Sequence, residues 1–437
     1  VQDYDCPPLS PLPPFLGGDP ADPPLGIDNI RVTASSGGGG FTTNNYTGPA
    51  GGDWGTDANW STGDAPDTFT EDATVNAGDS VVVTGGFDVR NVCNFGTITV
   101  VDGGANELRV DNNFLNEGKV TSDGVDGTAE IAFVGPDANY RGSGINPDAD
   151  YEIRAGQTTL DADLSARSLA VNSAFIADSR TITLTRNLSW DGASTFSTAS
   201  TNLILDGPCA TCIDVDPQQT ISLNGGTLSF ARLFQLKSSG LAIMDNAGNT
   251  LTINDSLLIT GAVFDAQTNN LNGPANVAMT GGELRLATGG NLVLPELTGT
   301  YSTDTAGAVH LTGTANQQLR AEAYFDLIFS GTGTRDLAGN ATAANSVTIN
   351  GGTVNTLGFN FSGPADLTIN GGTFNLGTLG GNPTLPEFTG TYSTGSAGTV
   401  NLMAAGLQTL RQETYFDLGF QGSGVKTLGG PITANDQ

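Results

Sequence analysis

Val347-Thr348-Ile349-Asn350-Gly351-Gly352-Thr353-Val354 is answered twenty residues later by Leu367-Thr368-Ile369-Asn370-Gly371-Gly372-Thr373-Phe374. In each copy apolar residues alternate with threonine up to an Asn-Gly-Gly corner, after which the alternation resumes. That is the pattern of a half-buried strand, a tight turn and a second strand. Neighbouring strands of a sandwich need not resemble each other at this spacing. The coils of a chain wound on a common axis do, because equivalent residues stack on one core column and asparagines at one corner can form a hydrogen-bonded ladder.

The stretch belongs to a longer recurrence. Leu236, Leu327 and Leu418 stand 91 residues apart, as do Gly240, Gly331 and Gly422, and Thr298-Gly-Thr-Tyr-Ser-Thr303 returns at Thr389. Two architectures give a period near ninety. One is a string of tandem immunoglobulin-like β-sandwiches of about 100 residues each. The other, which the twenty-residue echo favours, is an all-β parallel β-solenoid (β-helix) in which one repeat spans about four coils of roughly 22 residues. The whole chain then makes a rod of about seventeen coils, on the order of 80 Å long at one strand spacing per coil.

Composition agrees. The chain has 437 residues, 61 of them glycine and 20 proline, with only 7% aromatic. Glycine and asparagine tolerate positive φ, and threonine, valine and isoleucine favour pleated strands, so this mixture suits many short strands and tight turns. Three regions are expected: residues 1–50 as an extended Pro/Gly-rich arm and hinge, 51–200 as an N-terminal solenoid region, and 201–437 as solenoid with 91-residue repeats, the last incomplete. Gln437 stands 91 residues after Ser346, just before the next expected strand. Either the natural product continues or another molecule covers that end.

The formal net charge of −29 argues against nucleic acid or an anionic membrane as partner. No run approaches the ~20 apolar residues of a membrane span. The chain opens at Val1 rather than at methionine, which reads as a mature exported form. Four cysteines, Cys6, Cys93, Cys209 and Cys212, suit disulfides outside the cell, with Cys6–Cys93 and Cys209–Cys212 the preferred pairing.

Tyr324-Phe-Asp-Leu-Ile-Phe-Ser-Gly-Thr-Gly-Thr334, the Val347–Thr353 stretch, Thr389-Gly-Thr-Tyr-Ser-Thr394 and the opening Asp53-Trp-Gly-Thr-Asp-Ala-Asn-Trp-Ser61 resemble the repeats of secreted bacterial surface proteins, often cargo of the type IX secretion pathway. The resemblance covers about Gly51 onward. It implies a large extracellular adhesin, fibre or stalk, commonly without enzymatic activity. No C-terminal sorting domain is recognisable, which departs from that pattern.

No catalytic or cofactor-binding residue is assigned. His310 is the only histidine, and Asn401 replaces it one repeat later, so it reads as a surface or ladder position. Polysaccharide lyases and hydrolases on β-helices resemble one another in adjacent aspartates, a functional histidine or a calcium site, and this chain has no Asp-Asp pair. Cys209-Ala-Thr-Cys212 lacks the two further ligands of a zinc site and reads as a structural clamp. Asp148, Asp150, Asp161 and Asp163 cluster carboxylates in loops and are calcium candidates, although the full Asp-x-Asp-x-Asp-Gly loop is missing. The expected function is a non-enzymatic extracellular filament subunit, associating head to tail with itself, or an adhesive stalk. A glycan- or host-surface-binding module is the alternative, and a β-helix lyase or hydrolase a further one.

Overall fold

The computed structural model describes residues 44–101, 103, 105–122, 130–144, 146, 149–198, 200–206, 218–235, 241–245, 247–290, 292–377, 384–394 and 397–435. They form a parallel β-solenoid of about 16 turns. One turn shows the plan. Asp150–Ile153, Gln157–Leu160 and Leu164–Ala166 run along three successive sides, and Ser168–Val171 then lies in register on Asp150–Ile153. Every named strand pairing is parallel, and among the described residues the one antiparallel contact is an isolated bridge between Tyr46 and Trp60. Immunoglobulin-like sandwiches are thereby ruled out, since their sheets are antiparallel.

Three ladders climb the rod. The first face stacks 107–110, 130–133, 150–153, 168–171 and 188–190, and further along 263–265, 283–286, 308–311, 326–329, 346–349 and 366–369. The second carries 72–75, 91–94, 113–116, 137–141 and 157–160. The third carries 164–166, 181–184, 202–205, 232–235 and 256–259. These ladders run without a break across the expected boundary at residue 200, and Asn44–Asn45 already pairs with 73–74, so the solenoid begins ahead of Gly51.

The period-2 alternation builds the core directly. Leu108, Ile131, Tyr151, Leu169, Leu188 and Ile221 are mutual partners on the first face and are all buried. Burying such a side chain contributes about 1.5–3 kcal/mol, so each coil is stabilised chiefly by the coil beneath it. At the opening end, Trp54 and Trp60 meet edge-on at 4.8 Å, Trp60 meets Tyr46 at 5.5 Å, and both indole N–H groups donate to carbonyls, of Pro66 and Trp54. The tryptophan-bearing segment thus belongs to the first described coil, with its rings packed in the core.

The quoted stretches stack as expected. Val347 pairs with Leu367, Ile349 with Ile369 and Val354 with Phe374, while the Asn370 amide donates to Asn350 Oδ1 at 2.9 Å. Gly372 has φ +76°, and a Cβ there would stand 2.5 Å from the Gly352 carbonyl, so glycine is required at the stacked corner.

The longer recurrence works differently from expectation. Leu327 lies in the column Val309–Leu327–Val347–Leu367–Tyr392. Leu418 lies in another, Gln317–Arg335–Val354–Phe374–Val400–Leu418. Arg335 follows Leu327 by one side of the coil, and Leu418 stands four coils above Arg335. A 91-residue step is therefore four turns and one side rather than four whole turns, because coils of 18 to 26 residues do not divide it evenly. Gly331 and Gly422 are corner residues in both copies, each seated over carbonyls of the coil below.

Leu236, Gly240, Asp148, Cys6, Cys209, Cys212 and the Pro-rich arm up to residue 43 lie outside the described residues. Cys93 is buried on the second face, and because the other three cysteines lie outside the described residues both expected pairings stay expectations.

Candidate functional site

Two clusters of ionisable groups stand on outward-pointing positions of the first face. Coil stacking places Glu107 over Glu130, with Glu152 two residues beyond the partner of Glu130. Arg154 reaches back across all three, 2.8 Å from Glu107, 3.2 Å from Glu130 and 2.5 Å from Glu152. Arg109 extends the chain of charge by pairing with Glu107 at 3.0 Å and with Asp88.

Three carboxylates around one guanidinium leave an excess of negative charge, and the proton distribution answers it. Burial, then the hydrogen bond and charge of Glu152, then the charge of Glu107, push Glu130 up to about 8 against the pull of Arg154. Burial acts against Glu152 as well, but hydrogen bonds from Glu130, Arg154 and Asn172 hold it below the usual carboxylate range. At neutral pH Glu130 keeps its proton and donates it to Glu152, so the pair titrates as a unit. Adjacent to it is a groove of about 680 Å³ whose lining includes Asp150, Arg167, Arg186 and Asp245.

Farther along the same face stands a second constellation. His310 falls in register between Arg285 and Ile328, the outward ladder position its sequence suggests. Its ring spans two coil boundaries diagonally. Nδ1 lies 2.5 Å from Glu283 Oε1 and Nε2 lies 2.7 Å from Ser330 Oγ. Arg285 clasps Glu283 through Nε at 2.9 Å and a terminal nitrogen at 3.1 Å. Burial would raise Glu283, but the hydrogen bonds from His310 and Arg285 outweigh it and lower the carboxyl to about 2. An ionised carboxylate only accepts, so Nδ1 carries the hydrogen toward Glu283, and in the neutral ring Nε2 accepts from the Ser330 hydroxyl.

The calcium candidates are engaged otherwise. Asp150 holds Arg167 through two bonds of 2.9 and 2.6 Å, Asp161 holds Arg141 at 2.9 Å, and Asp163 accepts the Thr181 backbone N–H at 2.8 Å. Among the described residues no group of three or more histidine, cysteine, aspartate or glutamate side chains could hold a metal ion.

Neither constellation was assigned from the sequence. A faint signal exists in retrospect: Glu107 and Glu130 are one coil of 23 residues apart, Glu152 follows Glu130 by 22, a coil and two positions, and Ser330 follows His310 by 20. Glu283, 27 residues before His310, sits a coil below and two positions back, which only the register reveals. Comparison with protein families, with characterised proteins and with solved structures returns no match.

Proposed function

We propose that this chain is an extracellular structural rod, a filament subunit or surface stalk that associates head to tail with further copies of itself, a role that needs no catalysis. The observation that carries this reading is where apolar surface is left uncovered. Among the described residues, eight large apolar side chains are more than a third exposed, and five of them, Met403, Leu407, Phe420, Val425 and Leu428, fall within 26 positions of one another on the last coils. Toward the other end of the described residues, Trp54 and Trp60 are buried. Unpaired strand edges and exposed apolar side chains are a template for another copy of the chain, and a contact between unlike surfaces that does not close on itself gives a fibre. The acidic composition and the even cysteine count support a place outside the cell.

Electron microscopy and sedimentation of the purified chain test the proposal. Fibres that vanish in a Val425→Asp, Leu428→Asp double variant, with unchanged strand content by circular dichroism, are expected. A chain that stays monomeric at high concentration overturns self-assembly. The groove beside Glu130 and Glu152 favours a second reading, a glycan-binding face, because its arginines and carboxylates offer donors and acceptors suited to hydroxyl groups. Saturable binding on a glycan array, lost on Arg167→Ala, distinguishes it.

A further inference from the structure

We infer that Glu283, His310 and Ser330 form a nucleophilic centre on the first face, able to cleave carboxylic esters of small acyl groups. The three side chains stand in the order a nucleophile requires. Ser330 Oγ is within hydrogen-bond reach of a base, His310, whose far nitrogen is oriented by a carboxylate. They come from three successive coils, 283–286, 308–311 and the corner after 326–329, and the parallel ladders fix their spacing. Such a site on strands is held more firmly than one on loops.

Each member is also held independently. Glu283 is clamped by Arg285. The His310 backbone is locked between Arg285 and Ile328. The Ser330 backbone N–H donates to Leu311 O at 2.9 Å and its carbonyl accepts from the buried guanidinium of Arg335. Gly331 then turns the corner at φ +77°, and its backbone N–H, which takes part in no backbone hydrogen bond among the described residues, is the donor next to the nucleophile in the chain. Ser330 and His310 are half-buried, so a bound ester is accessible from solvent.

The chemistry balances without a metal or a redox partner. Ser330 Oγ bonds to the ester carbonyl carbon as its proton passes to His310 Nε2, and Glu283 steadies the imidazolium through Nδ1–H. The tetrahedral oxyanion collapses, the ester C–O bond breaks, and the departing alcohol oxygen takes the proton from Nε2. Water repeats the sequence on the acyl-serine, releasing the acid and restoring the hydroxyl. Two features select the substrate class. Sharing its charge with Arg285 weakens the support Glu283 gives the imidazolium, which suits an alcohol leaving group better than an amine. Ile328, the half-buried register neighbour of His310, is the apolar side chain next to the ring and would favour a small acyl group.

Incubation of the full chain with a fluorophosphonate probe, followed by peptide mapping, is the direct test. A single adduct on Ser330 is expected, together with hydrolysis of p-nitrophenyl acetate that falls at least about 100-fold in kcat/KM in Ser330→Ala and in His310→Asn. Adduct formation on the unmodified chain does not depend on how any variant folds. Absence of the Ser330 adduct, or hydrolysis that is the same in Ser330→Ala as in the parent, overturns the inference.

Discussion

Replacing Glu130 by glutamine substitutes a neutral side chain of the same shape for a carboxyl that the fold keeps protonated. The carboxyl rises from 4.5 to about 8 on folding. Because the folded state binds this proton more tightly than the unfolded chain, its contribution to stability is greatest below about 4.5 and declines as pH rises through 8. A shift of this size converts to at most ~5 kcal/mol at ~1.4 kcal/mol per unit. Glu130 is 27% exposed, and part of the shift is matched by the opposite movement of Glu152. Discounting for both, the loss between pH 5 and pH 9 comes to about 2 kcal/mol. The glutamine introduced by Glu130→Gln can donate its amide to Glu152 as the protonated carboxyl does, so the variant should track the parent near pH 5 and exceed it by about 2 kcal/mol at pH 9. Urea midpoints measured at unit steps of pH provide the assay, with the difference between the two chains cancelling every other titrating group. Parallel profiles, or a variant weaker at pH 9, would refute the shared proton.

Other expectations follow from single contacts, each read from urea midpoints. Arg335 is fully buried and donates to Gln317 at 3.2 Å and to the carbonyls of Gly313, Ser330 and Gly333, without a carboxylate partner; Arg335→Ala should cost at least about 3 kcal/mol, because those carbonyls lose their donor. Lysine should recover part of that loss, as Lys426 at the same place in the next repeat bonds the Ala404 carbonyl at 2.6 Å. In the ladder Asn355–Asn375–Asn401, bonded at 2.7 and 2.8 Å, Asn375→Ala should cost about 1–3 kcal/mol. Tyr301 donates its hydroxyl toward Pro295 and Leu297, whereas the buried Tyr392 hydroxyl has no partner among the described residues, so Tyr301→Phe should cost about 1 kcal/mol and Tyr392→Phe nothing.

The arginine and asparagine ladders also show how unevenly the molecule could be read in advance. Asn350 over Asn370 was visible because both lie in near-identical octapeptides one coil apart. Asn375 over Asn401 spans 26 residues, since five residues are added between Asn375 and Glu387, the partner of Ser362, and no fixed period reaches it. Arg335 was not singled out by its sequence, yet it points inward at the column where Val354 and Phe374 also point.

The sequence by itself determined the strand-and-corner cadence, the parallel stacking and the solenoid class, because alternation, glycine corners and a one-coil echo are local properties that leave little choice of fold. It also determined that His310 faces outward on a strand. Only the tertiary structure decided the rest. Coil lengths vary, 18 residues from Asp150 to Ser168 but 33 from Leu188 to Ile221, so which residues become neighbours across a coil boundary depends on the sum of every turn between them. That sum put Leu327 and Leu418 on different faces, closed three glutamates around Arg154, and brought Glu283, His310 and Ser330 into one hydrogen-bonded line.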